Sequence, residues 1–219
     1  RRRKVQYYKL TDWNYQTHGW TQWGENITHR AIGTGCNLCT NDVIHVYDHP
    51  LKAAFFNPAH ASFNNPILWK CRVRKVVAND GTKVGVKECT TLKRLPLPEI
   101  TINQRIRAAI LAVLLVYKED SYVTWANNWL SGKDRSAEAA GAAARAAAGS
   151  AEAAGAAAGS AEAAAWAAGS AEAAEAAWAA AGAAARAAWA AEKDMDFVVL
   201  IQRAIKEEAE KCLKTSTNK

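Results

Sequence analysis

From Ser136 to Glu192 the sequence contains no histidine, cysteine, lysine, aspartate or tyrosine; alanine fills it, interrupted only by Gly, Ser, Glu, Arg and Trp. No catalytic apparatus can be assembled from that set, so the tract is architecture, and function sits elsewhere or arises from assembly. The longest strongly apolar run, Ala108 to Tyr117, is too short for a bilayer, which takes about 20 residues. The basic opening Arg1-Arg2-Arg3-Lys4 has no apolar signal-peptide core. Five cysteines, an odd count with one close pair, do not make a disulfide framework. These absences predict a cytoplasmic, reduced setting and no membrane partner. A Gly-rich phosphate loop, paired carboxylates at helical spacing in the basic half and a nucleophile-elbow serine are also missing, which leaves an enzyme with little support.

What is present divides the 219 residues by composition. Residues 1 to 135 carry 20 Lys+Arg against 10 Asp+Glu, a balance of +10, whereas residues 136 to 219 carry 8 against 11, or −3. The whole-chain +7 understates how basic the first part is, and such asymmetry favours a polyanionic partner for it. The expected organisation is a basic α+β domain over 1–98, a helical connector over 99–135, an Ala-rich helical repeat over 136–192 and an amphipathic C-terminal helix over 193–219.

Periodicity supports the α+β class. Val5 to Leu10 reads as a strand, Asp42 to Tyr47 as another, and His49-Pro50 opens a short helix that Asn57-Pro58 should stop. Ile67 to Val77 and Lys83 to Leu92 flank Asn79-Asp80-Gly81, a strong hairpin signal. From Thr101 the spacing of Ile106, Ile110, Val113, Leu114 and Tyr117 turns helical, and a second helix carries Tyr122, Trp125 and Trp129.

Within the alanine tract, the Gly, Glu, Arg and Trp landmarks from Glu138 to Glu192 fall in 16 intervals over 54 residues, a period of roughly 3.4, close to the 3.5 of left-handed supercoils. The favoured expectation is one long helix of about 85 Å at 1.5 Å per residue, packed against copies of itself. Homo-oligomerisation through residues 136–213 follows. Three decads beginning Gly149-Ser150, Gly159-Ser160 and Gly169-Ser170 leave a stack of short helices open, since Gly-Ser also ends one helix and caps the next, and disorder is the third alternative. Trp178 and Trp189 fall nearly on one helical face, and Phe197, Leu200, Ile201 and Ile205 form the apolar stripe of the last helix.

Two candidate sites emerge in the basic domain. Lys70, Arg72 and Arg74 project to one face of a strand and Trp69, Cys71 and Val73 to the other, so the cations can meet phosphates. His45 and Tyr47 alternate on another strand, where His60, His18 and Tyr8 can converge with them around a nucleotide. Cys36-x-x-Cys39 with His45 and His49 is the set zinc would use. The gap from Cys39 to His45 is shorter than in common finger modules, so the expectation is no metal and no cofactor.

The run Leu38-Cys39, then Ile44-His45-Val46-Tyr47-Asp48-His49-Pro50-Leu51-Lys52-Ala53-Ala54, resembles a pattern in small uncharacterised proteins carried by phages and bacteria. Leu97-Pro98-Glu99-Ile100-Thr101, Gln104-Arg105, Val116-Tyr117-Lys118 and Trp129-Leu130-Ser131-Gly132-Lys133-Asp134-Arg135-Ser136 are similar to the segment preceding Ala/Trp helical repeats in proteins labelled immunity proteins. That resemblance implies a part in phage and host conflict, in the host-cell cytoplasm. The resulting expectation is a non-enzymatic accessory protein, for host takeover or counter-defence, that binds an anionic ligand such as a nucleotide signal or nucleic acid. An assembly scaffold or inhibitor docking on a host protein is one alternative. A nucleotide-modifying enzyme of ADP-ribosyl-transfer type, using His45 and Tyr47, is the other.

Overall fold

The computed structural model describes residues 5–147, 152–168, 173–191 and 195–216. It is α+β and divides into two units, Arg1–Glu99 and Ile100–Lys219. No helix among the described residues is long and apolar enough to cross a membrane.

The first unit is built on an antiparallel sheet. Strands β1 (Tyr7–Thr11), β4 (Thr28–Arg30), β5 (Ile44–Val46), β6 (Ile67–Asn79) and β7 (Val84–Leu95) form it, and a small ribbon of β2 (Gln16–Thr17) and β3 (Thr21–Gln22) stands apart. The long β6–β7 hairpin turns where the sequence predicts. Asp80 accepts hydrogen bonds from the backbone N–H groups of Thr82 and Lys83, both at 2.9 Å, and Asn79 accepts from Gly81 N–H at 2.8 Å. Side-chain acceptors of this kind are why Asn and Asp favour turns.

Strand β1 pairs with β6, and β7 holds β5 at Val84–Val86 and β4 at Glu88–Thr90. One residue beyond β5, Tyr47 exchanges two backbone hydrogen bonds of 2.8 Å with Tyr8 of β1. That bridge closes β1, β6, β7 and β5 into a ring. Trp23, Val46, Trp69, Cys71, Val84, Val86 and Cys89 form its core. On β6, Trp69 and Cys71 are buried and Arg72 and Arg74 exposed as expected, whereas Lys70 is half-buried beside the buried Leu68, and a register shift falls between Lys70 and Cys71.

Helix α1 (Pro50–His60) follows β5, its first turn capped by the His49 ring, which accepts from Leu51 N–H at 3.2 Å. The expected stop at Asn57-Pro58 does not occur: Pro58 lies inside the helix, which continues to His60. Asn57 is occupied differently, its side chain holding the backbone of Phe63 at both N–H and carbonyl. The extra turn is what brings His60 beside Tyr47.

The second unit is all helical. Its helices are α2 (Ile102–Val116), α3 (Asp120–Ser131), α4 (Ala137–Ala147), α5 (Glu152–Ala168), α6 (Ala173–Ala190) and α7 (Phe197–Ser216). Thr101 and Gln104 form a reciprocal capping box at the start of α2. Helix α2 is buried continuously from Ile106 to Val113 and packs against α5, α6 and α7.

The single long rod expected of the alanine tract is not what forms: α4 packs on α5 and α5 on α6, within one chain. The steps Gly149-Ser150 and Gly169-Ser170 fall between these helices, outside the described residues, whereas Gly159-Ser160 lies inside α5. There each residue answers a neighbour. Ser160 Oγ lies 2.6 Å from the buried Tyr122 hydroxyl and donates to the Ala157 carbonyl at 2.9 Å, and Gly159 faces the Arg186 guanidinium of α6, which a Cβ would crowd. Alanine elsewhere lets helix axes approach closely. Ala156, Ala157, Ala161, Ala180, Ala181, Ala183 and Ala184 are fully enclosed.

Candidate functional site

The first unit contains a cavity of about 610 Å³, within the roughly 300–1,000 Å³ range of small-molecule sites. Strands β1 and β5, the β2–β3 ribbon, the 31–43 loop, the end of α1 and Lys83 after the hairpin turn all contribute to its walls. Four histidines line it, His18, His29, His45 and His60, with Lys9, Lys83, Arg30, Tyr47, Trp23 and Phe63. No Asp or Glu is among the described residues that line it.

Local structure places each group. His45 and Tyr47 are two residues apart on an extended segment and so share a face, while Val46 between them is in the core. The Tyr47 hydroxyl lies 3.3 Å from His60 Nδ1, and the His60 ring lies near parallel to those of Tyr47 and Phe56, with centroids at 6.1 and 5.1 Å. Burial, and secondarily Asp80, pushes the Tyr47 phenol up from its ordinary value, so it stays protonated. His45 Nε2 accepts the Cys39 N–H at 2.9 Å; a neutral ring accepting at Nε2 carries its proton on Nδ1.

Both imidazoles are held neutral. Burial, then the positive charges of Lys83 and Lys9, lowers His45 to about 4 against an opposing pull from Asp80. Burial, then Lys83, lowers His60 to about 3. Lys9 is itself enclosed: its ammonium donates to the His45 carbonyl at 2.9 Å and lies 5.2 Å from the Trp23 ring centre, and burial lowers its pKa. Trp23 in turn meets His29 edge-on at 4.6 Å, and His18 lies 5.6 Å from Phe63. The cavity is thus rich in donors and cations and walled by rings.

Of the residues singled out from sequence, His45, Tyr47, His60 and His18 come together here, and Tyr8 supports them through its bridge to Tyr47. Lys70, Arg72 and Arg74 do not line the cavity. Arg72 and Arg74 are exposed, and Arg74 shares Glu88 with Arg30, at 3.3 and 2.8 Å. Among the described residues no group of three or more His, Cys, Asp or Glu, the set Cys36, Cys39, His45 and His49 included, is placed to hold a metal ion. Sequence reasoning passed over Lys9, Lys83, Trp23, His29 and Arg30. Lys83 had a signal, its place directly after the hairpin turn and therefore beside the strand ends; Lys9 had none, being a lysine at an inward position of a strand.

The 31–43 loop is fastened to β7 by one side chain. The Lys87 ammonium donates to the carbonyls of Gly33 (3.0 Å), Gly35 and Asp42. The Asp42 carboxylate accepts from Gly35 N–H at 3.1 Å, and it lies where a side chain at Gly33 or Gly35 would have to go. Only glycine allows that approach.

Comparison of the chain with protein-family models, curated proteins and solved structures gives no match.

Proposed function

We propose that the first unit is a binding module that captures a small anion bearing a ring, a nucleotide being the best fit in chemistry and size. The observation that carries this is a cavity of nucleotide dimensions whose described lining has four histidines and three cations and no carboxylate. Such a lining offers donors to phosphate oxygens and flat faces to a base. Lys83 and Lys9 supply charge, His45 and His60 supply uncharged polar faces, and Tyr47 orients His60. Lys70, Arg72 and Arg74 form a separate basic strand face, available to a longer polyanion such as nucleic acid. The ADP-ribosyl-transfer reading calls for a glutamate beside His45 and Tyr47, which the cavity does not offer among its described residues. Action in phage and host conflict, in the host cytoplasm, rests on the sequence resemblance alone.

Isothermal titration with adenosine monophosphate and with inorganic phosphate tests the reading. Binding should weaken on the order of tenfold with Lys83→Met, the worth of a charge-assisted contact, and should survive the triple change of Lys70, Arg72 and Arg74 to Glu. Loss with the triple variant alone would move the site to the hairpin. Absence of binding by both probes would remove the proposal.

A second reading, assembly through the Ala-rich helices with docking on a host protein, is favoured by Trp178 and Trp189. They stand 52% and 58% exposed on α6, eleven residues apart. Sedimentation of wild type and of Trp178→Ser/Trp189→Ser should show an oligomer lost in the variant; a lone subunit at every wild-type concentration ends this reading.

A further inference from the structure

We propose that Cys39 is a nucleophile that takes a small anionic carbon electrophile entering the cavity. The four described thiols are all free, and they divide sharply: Cys71 and Cys89 are buried in the sheet core, while Cys36 and Cys39 are exposed on one loop. Of that exposed pair, Cys39 lines the cavity. Its Sγ accepts from the Lys83 ammonium at 3.0 Å, and a sulfur in contact with an ammonium is the setting in which nucleophilic cysteines are found. The residue is also fixed in place. Its backbone is left-handed, with φ of 63°, and its N–H is bound to His45 Nε2, on the loop that Lys87 and Asp42 fasten to β7.

The chemistry follows from those partners. His45 Nε2 is occupied by the Cys39 N–H and is not the base, so the thiol proton passes to solvent in the step. Sγ donates an electron pair to the electrophilic carbon, forming one S–C bond. The leaving group departs with the pair that held it to that carbon, and no oxidant or reductant enters. The anionic character assigned to the ligand rests on the proposed function above; the nucleophilicity of Cys39 does not.

Two probes separate these. The folded full chain is treated with iodoacetamide, which is neutral, and with iodoacetate, which carries a carboxylate, and alkylation of Cys36 and Cys39 is followed by peptide mass mapping. Cys36 serves as the internal control for an exposed thiol on the same loop. With iodoacetamide Cys39 should react faster than Cys36 by on the order of threefold or more, the advantage an adjacent cation confers. Lys83→Met should erase that advantage and Lys83→Arg keep most of it, with circular dichroism confirming that both variants fold. Iodoacetate should widen the gap further. Equal rates with iodoacetamide, or an advantage that survives Lys83→Met, would overturn the nucleophile. A Cys39 advantage with iodoacetamide that iodoacetate does not increase would support the nucleophile and overturn the anionic ligand class.

Discussion

The two units solve the problem of enclosing a core in opposite ways. The first uses large, varied side chains inside a closed ring of strands and spends its polar groups on fixing loops. The second uses the smallest side chain that favours a helix and reaches close packing by bringing backbones together. One therefore has room left over, a cavity lined by imidazoles and cations, while the other has fully enclosed alanines such as Ala180 and Ala183. Errors of size should consequently hurt them in opposite directions.

The largest effect should come from adding volume to the helical unit. Ala183 is fully buried on α6, and Ala183→Leu places three extra carbons between helices whose axes are close. Overpacking costs about 1–3 kcal/mol in ordinary cores and more where backbones must separate, so a loss of about 3 kcal/mol or more is expected. Hydrogen exchange should show it in α5 and α6. Removing volume should do the corresponding harm to the first unit: Val86→Ala empties part of the ring core and should cost about 2 kcal/mol, read as faster exchange in β5, β6 and β7. If Ala183→Leu were tolerated better than Val86→Ala, the contrast in packing would be wrong.

A smaller effect sharpens the comparison from the polar side. Tyr122 is buried on α3 and its hydroxyl meets Ser160. Ser160→Ala leaves that hydroxyl without its partner and should cost about 1–2 kcal/mol. Adding Tyr122→Phe should restore most of the loss, because replacing both members of a buried polar pair by apolar groups is close to neutral. A double variant no more stable than the single one would show that Ser160 acts through its own helix instead.

How far these features were legible in the sequence depends on the range of the interaction that makes them. The hairpin, the capped start of α2 and the apolar stripe of α7 are written in neighbours three or four residues apart, and each formed where its pattern lay. His45 and Tyr47 were legible as a pair because a strand puts alternate residues on one face. The site as a whole was not. Lys9, Lys83 and Cys39 meet only because Tyr47 bridges to Tyr8 and because a lysine 48 residues beyond Cys39, Lys87 on β7, ties down its loop, and nothing local encodes either. The alanine tract failed differently. Its period is helical whether the helix runs straight or folds back, and Gly-Ser reads identically as a break and as the Arg186 and Tyr122 contact it makes inside α5. Hydrophobic pattern fixes what faces inward; it does not say which neighbour is there.

The last contrast vanishes at neutral pH and grows on acidification. All five histidines of the chain precede residue 61, so the second unit has none. In the folded first unit His45 and His60 resist protonation until about pH 4 and about pH 3, whereas in the unfolded chain both titrate near 6.5. Between those values the unfolded chain binds the more protons, so stability of the first unit must fall as pH drops from 6.5 towards 4. The helical unit has only carboxylates to titrate on the acid side; Glu207, held low by its bonds to Arg203 and Arg107 despite partial burial, responds only further down. Hydrogen exchange of both units at pH 7 and pH 5, corrected for the intrinsic rate, should show protection lost in β1, β5 and α1 and retained in α2 and α6. His60→Gln should flatten the first unit's response by taking away the more strongly shifted group, while an anion bound beside Lys83 should offset the lysine charge that adds to burial in keeping both rings neutral, bring their folded pKa closer to the unfolded value and so make the loss smaller. Equal loss of protection in both units would mean that the cavity histidines are not held neutral, and that the donors assigned to them are already charged.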